Sequence, residues 1–124
     1  YGRHLGLVFQ LVDDALDYEA TTEELGKNIG DDLAEGKPTL PLIYAMDQGS
    51  AAERHMIREA IETGGIRNLT SIQLAIETSG GLRYTAERAR SEAKVAVENL
   101  EILPPSQYKD SLANLARFAV NRRF

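Results

Sequence analysis

The stretch from Leu5 to Tyr18, LGLVFQLVDDALDY, leaves this chain few ways to fold. It is almost uniformly apolar apart from Gln10, Asp13, Asp14 and Asp17. Wound as an α-helix at about 100° per residue, those four side chains fall at i, i+3, i+4 and i+7 and make one narrow stripe. Arg3 and Gly6 extend the stripe backwards, while Leu5, Leu7, Val8, Phe9, Leu11, Val12, Ala15 and Leu16 fill the other flanks. A surface helix ordinarily carries an apolar stripe on a polar cylinder. Here the polarity is inverted. The pattern predicts a helix buried on most sides, with its acidic stripe turned to a cavity or cleft.

Three carboxylates on one face repel one another, and burial makes each charge costlier. Either a cation lies near or some of the protons stay on. A hard divalent ion such as Mg²⁺ takes oxygen ligands and keeps much of its water, which suits two or three carboxylates on one helix face. The competing reading is an exposed acidic helix end whose aspartates meet solvent or lysines. The Leu, Val and Phe on the remaining faces weigh against it.

The chain is 124 residues long, one domain's worth or a piece of one, and 43% hydrophobic residues suffice for a sizeable core. Its 19 Asp and Glu against 14 Lys and Arg argue against broad nucleic-acid binding, which needs a basic footprint. With no cysteine, neither a disulfide framework nor a thiolate metal site is available, which is compatible with, but does not establish, the cytoplasmic location expected here. No apolar run approaches the roughly 18 residues of a membrane span, and no signal-peptide pattern is present. The sequence starts without Met and already inside the helical pattern, so a fragment is expected.

Residues 19 to 38 are polar and punctuated by glycine, which predicts a long loop with at most a helical turn. Such loops in compact domains are usually functional or disordered. Lys27 and Lys37 each follow a glycine, with Asp31 and Asp32 between them, so the loop could fold over the acidic helix end. A solvated charged loop is the alternative. It is not a Walker loop, since five residues separate Gly30 from Gly36 and Pro38 follows the lysine. Thr39 then caps a helix with Pro41 in its first turn, ended by Gly49-Ser50.

Further helices are expected over Ala51 to Thr63, from about Leu69 to Gly80, over Leu82 to Ile102, and from about Ser106 to Asn121. Ala86, Ala89, Ala93 and Ala96 form a seam that permits close helix contact, and Pro104-Pro105 breaks that helix. Leu112, Leu115, Ala116 and Ala119 should face inward on the last one. No segment alternates with period two between hairpin turns, so the fold class is all-α. His4 and His55 lack partners at metal-ligand spacing and read as structural or exposed. Tyr84, Tyr108 and Phe118 read as core or interface.

Taken together, Gly6-x-x-Phe9-Gln10-x-x-Asp13-Asp14-x-x-Asp17-Tyr18, Gly26-Lys27, Gly30-x-Asp32 and Gly36-Lys37-x-Thr39-x-Pro41 closely resemble the second aspartate-rich region of trans-isoprenyl (polyprenyl) diphosphate synthases. The wording YGRHLG and LGKNIGDDLAEGKPTLPLI is most similar to the octaprenyl-forming bacterial branch of that family. The specific motifs cover residues 1 to 41, and the likeness beyond them is looser.

The resemblance implies the C-terminal portion of one isoprenoid synthase helical bundle over residues 1–124, with the first aspartate-rich motif and the isopentenyl diphosphate site lying in upstream helices. It implies a Mg²⁺-dependent prenyltransferase that condenses isopentenyl diphosphate onto an allylic diphosphate to build a long polyprenyl chain for quinones, normally as a homodimer. Asp13 would be the principal Mg²⁺ ligand, with Asp14 and Asp17 acting directly or through water. Gln10 would hydrogen-bond near the diphosphate, Lys27 would contact its oxygens, and Asp32 and Lys37 would organise the loop or bind at its margin. This stretch alone should be inactive, and the apolar flanks of Leu5 to Leu16 should promote self-association. Two other readings stand beside this one: a catalytically silent subunit that supports a partner synthase, and a terpene cyclase.

Overall fold

The computed structural model describes residues 1–19, 30–64 and 67–122. Every regular element among them is helical: α1 (Gly2–Glu19), α2 (Asp31–Ala34), α3 (Leu40–Gln48), α4 (Ala51–Thr63), α5 (Leu69–Ser79), α6 (Gly81–Glu98), a 3₁₀ turn (Asn99–Ile102) and α7 (Gln107–Asn121). The all-α expectation holds. None of these helices is long and apolar enough to cross a membrane.

The alanine seam of α6 does what its small side chains allow. Ala89 and Ala93 pack with Val8, Val12 and Leu16 of α1 and Ala119 of α7, so three helix backbones approach closely around one core. A second core joins Tyr18 at the far end of α1 to Leu33, Leu42, Ala45, Ile57, Ala60, Ile72, Ala75 and Ile76, which seats α2 to α5. α1 is therefore shared by both cores, and its acidic end lies against the second. Where α6 begins, Gly81 lies so near α3 that a Cβ there would stand 2.9 Å from the Pro41 carbonyl oxygen. Two helix starts meet where only glycine leaves room.

Caps follow the sequence in most places. Ser50 and Glu53 exchange the two bonds of a capping box at 3.0 and 3.1 Å, and Ser106 accepts from the Lys109 amide. Thr39 differs. It occupies the N-cap position of α3, but its hydroxyl makes no cap hydrogen bond.

Three expectations need correction. The helix expected from Leu82 to Ile102 stops at Glu98 and tightens into the 3₁₀ turn, because Leu103, preceding Pro104, is held extended at φ −87°, ψ 143°. On α7, Leu115 is exposed instead of inward, and Tyr108 and Phe118 are exposed and so not core, since the α1 and α6 contact takes the neighbouring flank of Ala116 and Ala119. On α1 burial is one-sided: Leu7 and Phe9 are 39% and 36% exposed, because α6 and α7 cover only the Val8, Val12 and Leu16 flank. Tyr84 stacks on Tyr44 with ring centroids 4.3 Å apart. His55 is exposed near Glu59, and His4 pairs with Glu92 at 2.5 Å, tying α1 to α6.

Candidate functional site

The stripe of α1 is graded. Gln10 is exposed and Asp13 half-buried, whereas Asp14 and Asp17 retain 6% and 1% of their accessible surface. Moving toward the C-terminal end of α1, the acids pass from open surface into the protein. This follows from the one-sided packing, which leaves the first half of the stripe uncovered and brings α2 and α3 against the second.

The turn that delivers α2 is built on Gly30, whose φ of +83° lies in the left-handed region that favours glycine. Its amide donates to the Asp17 carbonyl oxygen at 3.2 Å, and the Asp32 amide donates to Asp17 Oδ2, also at 3.2 Å. Asp17 thus holds the start of α2 by backbone and side chain together. That places the Asp32 carboxyl opposite the stripe. Leu33, fully buried in the second core, locks the same turn from the other side.

Asp14 Oδ1 accepts from Gln10 Nε2 at 2.7 Å. Burial pushes the Asp14 carboxyl above its ordinary value, the Gln10 bond partly opposes this, and the charges of Asp32, Asp13 and Asp17 add to the rise. Four carboxyl groups from two helices therefore act on one another across the end of α1. Asp32 Oδ1 lies 3.8 Å from Lys37 Nζ, which is half exposed and bonds Glu35 more closely at 2.7 Å. The Lys37 ammonium is held above its usual range, first by Glu35 and more weakly by Asp32 and Asp14.

Behind the acids, burial and then the Asp17 and Asp32 charges push the Tyr18 phenol well above its usual range, so it stays neutral. Its hydroxyl, the Thr39 hydroxyl and Asp32 Oδ2 are buried without a hydrogen-bond partner among the described residues. A weak interaction with Thr39 slightly offsets the Tyr18 shift, so the two hydroxyls are neighbours without forming a well-directed bond.

The donor set is entirely hard oxygen, its carboxylates are crowded enough to raise Asp14, and Asp32 Oδ2 is buried without a hydrogen-bond partner among the described residues. Those features fit a hard divalent cation. Among the described residues no set of three or more His, Asp or Glu side chains is arranged to hold a metal ion. The fit is accordingly to an ion that takes one or two carboxylates and completes its shell with water and ligand oxygens, the usual habit of Mg²⁺ beside phosphates.

Of the residues singled out in the sequence, Gln10, Asp13, Asp14, Asp17 and Asp32 come together, and Lys37 stands at the rim. Lys27 lies outside the described residues. Sequence reasoning missed Tyr18 and Thr39 as walls of the site. Tyr18 directly follows Asp17 and could have been suspected, but Thr39 reads as a cap and only the tertiary contact shows otherwise. It also missed Arg122, whose Nη2 donates to the Phe9 carbonyl oxygen at 2.7 Å across 113 positions.

The profile of the polyprenyl synthetase family matches residues 1–78. The chain is 56% identical to octaprenyl diphosphate synthase of Haemophilus influenzae and 50% identical to that of Escherichia coli, aligning over 100% and 98% of its own length. It spans 38% of the length of each of these relatives. Among solved structures, a polyprenyl synthase from Caulobacter crescentus, complexed with calcium and isoprenyl diphosphate, superposes with a TM-score of 0.89 at 41% identity. That match takes in 100% of this chain and 38% of the other.

Proposed function

Because the chain belongs to the polyprenyl synthetase family, we propose that the protein containing it is a trans-prenyltransferase that makes a long-chain, octaprenyl, diphosphate for quinone side chains. The observation that carries this reading is the convergence of Asp13, Asp14, Asp17 and Asp32 at the end of α1, with Asp14 buried and hard to ionise. The names of the relatives support the substrate class, and the calcium and isoprenyl diphosphate bound by the Caulobacter protein support pairing a hard cation with a diphosphate at such a site.

In the proposed reaction the C1–O bond of the allylic diphosphate breaks and the bonding pair leaves with diphosphate. The double bond of isopentenyl diphosphate then attacks the allylic carbon, a C–C bond forms, and a proton is lost to the released diphosphate. Bound Mg²⁺ would supply positive charge where negative charge grows on the leaving oxygen. Asp13, the most open of the three stripe acids, is the principal ligand in this reading, with Asp14 and Asp17 behind it. Gln10 orients the Asp14 carboxyl through its amide. Lys37, at the rim, lends a point charge to diphosphate oxygens, and Lys27 has the same role. Neutral Tyr18 and the apolar second core wall off water behind the acids.

On this reading a second acidic face and the isopentenyl diphosphate site come from parts of the protein beyond these residues, so this stretch alone turns over nothing. The protein works as a cytoplasmic homodimer. The test is incorporation of labelled isopentenyl diphosphate by the whole protein with Mg²⁺. Asp13→Ala should reduce turnover by at least about a hundredfold, since it removes a group placed to bind the charge-stabilising ion. An Asp13→Ala protein that matches the wild type, or a wild type with no incorporation, would instead support the silent-subunit reading.

A further inference from the structure

Among the described residues, three polar ties run from Tyr1 and α1 to the last helices. Tyr1 donates its hydroxyl to the Leu112 carbonyl at 2.8 Å, His4 pairs with Glu92, and Arg122 reaches Phe9. The first two hold the start of α1, far from the acids. The third does not. Arg122 Nη2 lies 2.7 Å from the Phe9 carbonyl oxygen, and the guanidinium carbon stands 4.7 Å from the Phe9 ring centroid. One side chain therefore grips both the peptide and the ring of the same residue, as arginine's planar fork permits.

The position of that grip matters. Within an α-helix the carbonyl of residue 9 is the acceptor for the amide of residue 13, so the oxygen held by Arg122 is the one that anchors the Asp13 backbone. Gln10, which orients Asp14, is attached to the same peptide unit. Phe9 and Asp13 are also i, i+4 neighbours on the helix surface. On this half of α1 Phe9 and Gln10 are exposed, and the core packing of Val8 and Val12 lies on another flank. A carbonyl with two lone pairs accepts both donors without giving up the helix bond.

We propose that Arg122 is a positioning residue for the acidic site, holding the Phe9–Gln10 peptide so that Asp13 and Gln10 keep their register toward the bound cation and diphosphate. This rests on the functional reading above. Arg122 sits at the C-cap of α7, so the end of that helix becomes part of the active-site framework without touching substrate.

The test uses the whole protein with Arg122→Met and Arg122→Lys, and Arg117→Met as a control on the same helix. The methionine variant should lose about tenfold in kcat per folded molecule, with the Mg²⁺ activation midpoint raised about threefold and KM for the allylic substrate little changed. Lysine keeps the charge but not the fork, so it should recover only part of the loss. By hydrogen exchange without substrate, the Asp13 amide should exchange about tenfold faster in the methionine variant, while buried core amides such as that of Ile72 keep their protection. Arg117→Met should change none of these. If methionine lowers stability but leaves kcat, the Mg²⁺ midpoint and Asp13 exchange unaltered, Arg122 is a strut and the proposal fails. If methionine prevents folding, the lysine variant is read by the same three measurements. A wild type without turnover would refute the functional reading, and the exchange comparison would still decide whether Arg122 holds the Asp13 turn.

Discussion

Replacing Gly30 with alanine isolates the one backbone feature that sets Asp32 opposite the acidic stripe. Its φ of +83° costs a non-glycine residue roughly 1–2 kcal/mol. The shorter list of conformations open to alanine in the unfolded chain returns about 0.4–1 kcal/mol. A Cβ at this position would lie 2.8 Å from Leu69 Cδ1, the far end of a flexible side chain that can turn aside. The expected net loss is about 1 kcal/mol, dominated by the backbone. Urea denaturation should show the midpoint lowered by about 0.3–1 M with an unchanged slope. Gly30→Asn, which tolerates the left-handed region, should lose less. A cycle with Leu69→Ala separates the two causes, because relief of the Gly30→Ala loss in the Leu69→Ala background would assign the cost to collision. If Gly30→Ala is neutral or stabilising, the turn does not have a positive φ in solution. The account of how Asp17 receives α2 would then be wrong.

Two further outcomes follow from the same site and core. Asp14 holds its proton more tightly in the folded protein than at its ordinary value of 3.8, so its contribution falls as pH rises through the window between that value and the raised one. Asp14→Asn, which cannot ionise, should therefore gain on the wild type across that window and stay ahead at neutral pH without Mg²⁺; denaturation at stepped pH checks this, and a constant difference from pH 3 upward would refute it. Ile57→Ala should cost about 2–5 kcal/mol in denaturant, because Ile57 is fully buried in the core that also holds Leu33 and Tyr18. A loss below about 1 kcal/mol would mean the second core collapses around the gap.

The acidic stripe was legible because four polar residues in an apolar run admit one helical register. The alanine seam was legible for a similar reason: small residues at repeated helical spacing on α6 mark where another backbone can come close. The exposed sides of α1 and α7 were not. Periodicity tells which residues share a face, but Leu115 and Ala116 are adjacent in sequence and only the approach of α1 and α6 decides which is covered. Thr39 misled for a related reason. Its position predicts a cap, yet its hydroxyl lies beside Tyr18, and no local rule weighs a cap against a tertiary neighbour. The Arg122 contact spans 113 positions and leaves no periodic trace in sequence.

The gradation of burial along α1 divides labour among acids that look equivalent in sequence. Asp17, almost fully buried and bonded by the Asp32 amide, anchors the loop that carries Asp32. Asp14, bonded by Gln10 and raised by its neighbours, stores repulsion that nearby positive charge would relieve. Asp13, half-buried, is the most open of the three and on the proposed reading would meet an arriving ion first. A unit cation at about 4 Å contributes about 4 kcal/mol per carboxylate at a protein-like effective dielectric, enough to offset the mutual repulsion of such a cluster. On the proposed reading the cluster would attract a cation more strongly than an isolated, solvated aspartate, and the same crowding that weakens the fold would prepare the site. A chain selected for stability alone would not place four carboxylates there. Three of them on α1 and Asp32 on α2, gathered where α1 meets the second core, are what make a cation-dependent role the economical reading of this site.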